Sequence, residues 1–246
     1  KKLFYSVAHY FDVSSERSVN KYKNIDKHIE QFLNINIDDK EFILVSAVDA
    51  PRGDIYYRVV EEELLEYCKK KIEKYIVHVI VYYNWGGTIA ALWMCYNYLK
   101  NKAKLKEGYI SHFEEDFGPM NNKWFSDSIS LLGSDNYIYI GESNIGRIKQ
   151  SDDDERLSHF IYENATRLGS PEVWTDGGYY FSTMSNLKAI DEKIGCFHKG
   201  DQNTKYINLV DGIDIGEVGF PTLLYHNDFK FNVIDRSKYF VNEWND

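Results

Sequence analysis

The chain has 246 residues, with 29 Lys and Arg against 38 Asp and Glu, a formal net charge of −9, and a composition that is 43% hydrophobic and 16% aromatic. That length fits one large domain or two small ones with a substantial core. Ordinary Gly and Pro counts exclude collagenous and disordered classes, no apolar run approaches the roughly 20 residues of a membrane span, and the acidic balance argues against a nucleic-acid partner.

Taken in order, Leu3–Ala8, Phe42–Val48, Ile76–Tyr82 and Tyr109–Phe113 are short apolar runs that stop at polar or turn residues and read as strands. Helical patterns lie between them. Tyr22, Ile25, Ile29 and Phe32 recur at helical spacing. Val60, Leu64, Tyr67 and Ile72 do the same after a cap at Asp54, with acids early and lysines late. Thr88 to Leu99 is apolar nearly all round and predicts a helix sandwiched in the core. Strand–helix alternation of this kind predicts an α/β fold, a mostly parallel sheet with helices on both faces. Beyond Phe117 the rhythm loosens. Helices are expected over Asn122–Leu132, Asp154–Leu168, Ser185–Ile194 and Gly216–Tyr225, with strands over Tyr137–Ile140, Tyr179–Ser182 and Phe229–Ile234. We read the whole of 1–246 as one domain, with a ligand-binding half over 1–117 and a mixed, loop-rich half over 118–246.

Open α/β sheets bind ligands beyond the carboxyl ends of their strands. Four groups follow the first four strands: His9-Tyr10-Phe11, then Asp49, then Asn84-Trp85-Gly86-Gly87, then Glu114-Glu115-Asp116. Three consecutive carboxylates repel one another unless a cation is present. A hard divalent ion such as Mg²⁺ or Mn²⁺ takes one or two carboxylates together with substrate phosphates. It would also reverse the local sign, as an acidic protein holding a diphosphate needs. Read alone, the triplet is equally a solvated acidic loop, and Gly86-Gly87 a tight strand–helix turn. A helix starting at those glycines would aim free N–H groups at the same edge.

The order of these features resembles the nucleotide-sugar half of GT-A glycosyltransferases, above all the large inverting family often called family 2. The resemblance covers roughly residues 3 to 117. It implies a GT-A-like, Rossmann-like sheet and a donor site in which Asp49 contacts the nucleobase. Asn84, Gly86 and Gly87 match the family's Asn-x-Gly and small-residue helix, and Glu114-Glu115-Asp116 matches its metal-binding DxD. Glu114 replaces the first Asp of that motif, and Ala8-His9-Tyr10-Phe11 stands where the family has Pro-x-Tyr-Asn. His9 and Tyr10 become candidate nucleotide contacts, and Glu114 and Glu115 candidate donor contacts. Asp116, with Glu114, is the candidate metal ligand, and the resemblance adds His226 as a possible third.

In the second half, Trp174-Thr175-Asp176-Gly177-Gly178 resembles the loop before the acceptor site, and Gly216-Glu217-Val218-Gly219 the acidic motif that opens a late helix. An attacking hydroxyl must lose a proton, and a positioned carboxylate can take it. Glu217 is the matching general base, with Asp214, Asp211 and Asp176 behind it. His112 reads as a packed residue, and His28, His78, His159 and His198 have no visible site. The resemblance thus implies a Mn²⁺- or Mg²⁺-dependent transferase, inverting, moving a sugar from a UDP- or GDP-type donor to a hydroxyl of a glycan or glycoconjugate. The alternatives are a non-catalytic sugar-binding module on the same scaffold and a Mg²⁺-dependent sugar nucleotidyltransferase. The latter's Gly-rich basic loop is missing from Ala8–Val13. Cys68, Cys95 and Cys196 are few, odd in number and lack Cys-x-x-Cys spacing, which argues against a structural zinc site or disulfide framework and suits a reducing compartment. No signal peptide is visible and the chain opens on Lys1-Lys2, as a piece trimmed from a longer protein would. A cytoplasmic location, in a bacterium or a virus-infected host, is the expectation.

Overall fold

The computed structural model describes residues 1–11, 21–48, 53–83, 87–101, 107–143, 176–194 and 220–242. In chain order these form β1 (Leu3–Phe11), α1 (Lys21–Asn34), β2 (Lys40–Val48), α2 (Asp54–Lys71), β3 (Ile76–Tyr83), α3 (Gly87–Asn101), β4 (Tyr109–Glu114) and β5 (Phe117–Pro119). There follow α4 (Lys123–Gly133), β6 (Tyr139–Ser143), β7 (Asp176–Thr183), α5 (Met184–Ile194), α6 (Phe220–His226), β8 (Phe231–Asp235), α7 (Arg236–Tyr239) and β9 (Phe240–Asn242).

A seven-stranded sheet runs in the order β3-β2-β1-β4-β7-β6-β8. β1 is parallel to β2 and β4, β2 to β3, and β6 to β8, while β7 is antiparallel to both β4 and β6. The fold is therefore α/β with a mostly parallel sheet and a mixed second half, as expected. Among the described residues, no helix is long and apolar enough to cross a membrane.

Alternation along the strands divides the core into two layers. Leu3, Tyr5, Val7, Phe42 and Leu44 face a layer that also holds Ile25 and Phe32 of α1, Val60 and Leu64 of α2 and Trp124 of α4. Phe4, Ile43 and Val45 face the other, with Ile89 to Leu99 of α3, Leu187 and Ile190 of α5 and Phe220 of α6. β2 is buried along all nine residues, which is why Phe42–Val48 reads as a nearly continuous apolar run. α3 is sandwiched as its composition predicts, with Trp93 1% exposed and edge-on to Phe220 at 6.4 Å between ring centroids.

Three details differ from expectation. β1 runs three residues further, so His9, Tyr10 and Phe11 lie within the strand instead of after it. Asp54 is the first residue of α2, with Gly53 at the cap; the acid still favours the positive end of the helix, and Lys69, Lys70 and Lys71 fill its last turn. Finally, β5 and β9 form a separate two-stranded antiparallel ribbon, Phe117 opposite Asn242, which no periodicity in three-residue strands could announce. The expected helix Asp154–Leu168 lies outside the described residues.

Candidate active site

Parallel register sets the carboxyl ends of the strands side by side. Phe11 is level with Val48, Val48 with Tyr83, and Ala8 with Glu114. Asp49 and Asn84 therefore follow directly on two strands that end at the same edge as the acidic triplet. Asp49, Asn84, Gly86 and Glu217 themselves lie outside the described residues, and Gly87 is the first residue of α3. β7 is antiparallel, so its start, Asp176, comes to this edge as well, opposite Glu142 of β6.

Glu114 closes β4 and is half-buried, Glu115 is half-buried, and Asp116 is exposed in the two-residue turn to β5. Because β1 outruns β4 by three residues, His9 lies beside this turn. Its ring is buried, with Nδ1 3.0 Å from the Ser46 hydroxyl and Nε2 3.7 Å from a Glu115 carboxylate oxygen. Tyr10 is half-buried against the α3 core layer. The expected nucleotide contact His9 thus stands beside the acidic turn, with its Nε2 facing Glu115.

A second histidine, which the sequence left without a role, holds the same turn. His28 of α1 is fully buried, and its Nε2 is 3.1 Å from the Glu114 carbonyl and 3.2 Å from that of Glu115. Carbonyls only accept, so Nε2 carries the proton and donates. Nδ1, 2.9 Å away from the Tyr5 hydroxyl, accepts from it. Burial lowers the imidazole pKa to about 4 even though both carbonyl bonds act the other way, so His28 is a neutral strut. No local pattern could reveal it, because its partners are main-chain atoms of Glu114 and Glu115, far along the sequence.

The far side of the turn is fixed differently. Phe117, directly after Asp116, is buried, and a Cβ on Gly178 would come within 2.6 Å of its ring. That close approach is what requires glycine at the start of β7. Glu142, buried at 0% exposure, accepts from Arg236 at 2.7 and 2.8 Å and from the Gly178 amide at 3.2 Å.

Other candidates fall elsewhere. β8 runs parallel to β4, so His226, exposed at the end of α6 just before β8, sits at the opposite, amino edge of the sheet. The structure does not bring it to Glu114–Asp116. His112 is buried and hydrogen-bonded through Nδ1 to the Ser6 hydroxyl at 2.8 Å, a packed residue. Burial pushes the thiols of Cys68 and Cys95 up to about 12, far from thiolate chemistry.

Among the described residues, no three His, Cys, Asp or Glu side chains are gathered so as to hold a metal by themselves. The chemistry of the donors at the turn is nonetheless that of a hard cation. Carboxylate oxygens, one of them on the exposed Asp116, fit an ion that completes its sphere with substrate phosphates.

No protein-family model and no curated protein matches the sequence. Solved structures with a similar arrangement include the mannosyltransferase PcManGT from Pyrobaculum calidifontis, in complex with GDP-Man and Mn²⁺, at 10% identity and a TM-score of 0.48 over 88% of this chain. They also include mouse xyloside xylosyltransferase 1, at 8% identity and a TM-score of 0.48 over 96% of this chain. The chain spans 53% of the length of the first and 86% of the second. Neither assigns a role to any residue here.

Proposed function

We propose that the protein is a GT-A-like glycosyltransferase that moves a sugar from a nucleotide-diphosphate sugar to a hydroxyl acceptor. The observation that carries this reading is the acidic turn Glu114–Asp116, anchored at the common carboxyl edge of parallel strands on which Asp49 and Asn84 directly follow. Asp49 binds the base, the start of α3 at Gly87 lies near the phosphates, and Asp116 with Glu114 would hold Mn²⁺ or Mg²⁺. When bound, such an ion supplies Lewis-acid stabilisation of the leaving diphosphate. His9 and His28 keep the turn in place, and Glu115 is held near His9. A carboxylate on the acceptor side, Glu217 or Asp176, takes the proton of the attacking hydroxyl and faces the positive charge that develops on the sugar carbon. The inverting course is taken from the resemblance to the inverting family.

Thermal unfolding with UDP, GDP, CDP and dTDP, each with Mn²⁺ and with EDTA, tests the donor half. A ligand at about 100 times its Kd adds roughly 2.7 kcal/mol, several degrees for a domain of this size. One nucleotide should give such a shift, lost in EDTA and lost in Asp116→Ala. No shift with any of them would leave a non-catalytic sugar-binding scaffold as the better account. Glu217→Gln should bind donor as the wild type does while transfer collapses; surviving transfer would move the base to Asp176 or make the reaction retaining.

A further inference from the structure

Four segments come together around the Glu142–Arg236 pair, and one of them, through Phe117, follows directly on the acidic turn. Glu142 lies where the β6–β7 pairing steps out of register, with Gly141 opposite Tyr180 but Glu142 opposite Asp176. Its carboxylate takes both ends of the Arg236 fork, Nε to Oε2 at 2.7 Å and Nη2 to Oε1 at 2.8 Å, and also the amide of Gly178. The guanidinium stands 5.0 Å from the centre of the Phe117 ring. That ring fills the space beside Gly178, and its residue is the next in the chain after Asp116.

A buried pair of this kind is poor ground for stability, since apolar side chains of the same volume often do as well. What the pair supplies is direction. Two parallel hydrogen bonds between planar groups fix the carboxylate and the guanidinium in one mutual orientation, with the cation over the face of the Phe117 ring. A bulge in a strand beside a site commonly serves to re-aim a side chain in this way.

We propose that Glu142 and Arg236 are positioning residues of the transfer site. The pair ties the turn that carries Asp116, through Phe117, to the start of β7, through Gly178. The acids that hold the cation and the acceptor-side segment that begins at Asp176 thereby keep a constant spacing. Neither side chain touches substrate in this account. The inference rests on the transferase reading.

Calorimetric titration of UDP and GDP, each with Mn²⁺ and with EDTA, separates this role from plain stability. Arg236→Lys keeps the charge and loses the fork. Its affinity for the nucleotide in Mn²⁺ should fall about tenfold or more, as small displacements of binding groups allow, while its affinity in EDTA stays within about twofold. The comparison is Glu41→Gln, which breaks another buried pair, to Lys2 at 2.5 Å and His78 at 2.7 Å, near the amino ends of β2 and β3. It should lower the melting temperature and leave the Mn²⁺ effect intact. Should Arg236→Lys not fold, Phe117→Leu, which removes the ring and spares the ion pair, carries the same expectation. An undiminished Mn²⁺ effect in the folded variants, or an equal loss in Glu41→Gln, overturns the positioning role and leaves the transferase reading standing. No Mn²⁺-dependent binding in the wild type overturns both.

Discussion

At His28 the neighbours decide the protonation state, and that makes the residue measurable. Burial keeps the folded imidazole neutral down to about pH 4, whereas a solvated one takes its proton near 6.5. The folded state therefore has its full stability above about pH 6.5 and loses it as the pH falls from 6.5 towards 4, since the unfolded chain binds a proton that the folded chain refuses. Over that window the loss attributable to His28 is about 3 kcal/mol. Urea midpoints measured from pH 7 to 4 should show it, and His28→Gln, which keeps a donor but does not titrate, should flatten that part of the curve. Parallel curves would mean that His28 is solvated. Gly178 offers a second residue-scale check: Gly178→Ala puts a methyl 2.6 Å from the Phe117 ring and should cost about 1–3 kcal/mol, as overpacking does. Neither residue's role was legible beforehand. The pattern Asp176-Gly177-Gly178 announces a turn, but the ring that needs the glycine is at Phe117, and Arg236 finds Glu142 across 94 positions of sequence. Side-chain pairs so far apart leave no periodic trace.

Elements were legible where burial imposes a period. β1 to β4 and α1 to α3 stand close to where the apolar runs and helical spacings put them, because buried strands, helices with one inner stripe such as α1 and α2, and a helix enclosed all round such as α3 cannot hide their patterns. The limits of that logic are equally physical. The run His9-Tyr10-Phe11 continues β1 since β2 is long enough to pair with it, a fact about a neighbour. β5 and β9 are three residues each and owe their existence to each other. α3 is the element with most at stake. Trp93→Ala should destabilise by about 3–5 kcal/mol in chemical denaturation, the usual range for a large buried aromatic, because its ring is enclosed between the sheet and α6. A change below 1 kcal/mol would contradict the sandwiched position.

For the molecule as a whole, strand order predicts a gradient of protection. β1 is flanked by β2 and β4, while β3 and β8 end the described sheet. Amides of β1 should exchange with solvent only through global unfolding, and those of β3 and β8 through cheaper local openings; equal rates across the sheet would contradict the order. The two-stranded ribbon bears on how the protein is made. β1 to β4 are complete by residue 114 and can pair as they emerge from the ribosome, where amino-terminal segments fold first. β5, however, waits for β9, and the Phe240 ring that settles 5.0 Å from Phe117 and 4.9 Å from Tyr179 arrives with it. The acidic turn thus receives its last brace only once translation has passed residue 242, so a nascent chain can possess an assembled amino-terminal sheet well before its acidic turn is held on both sides.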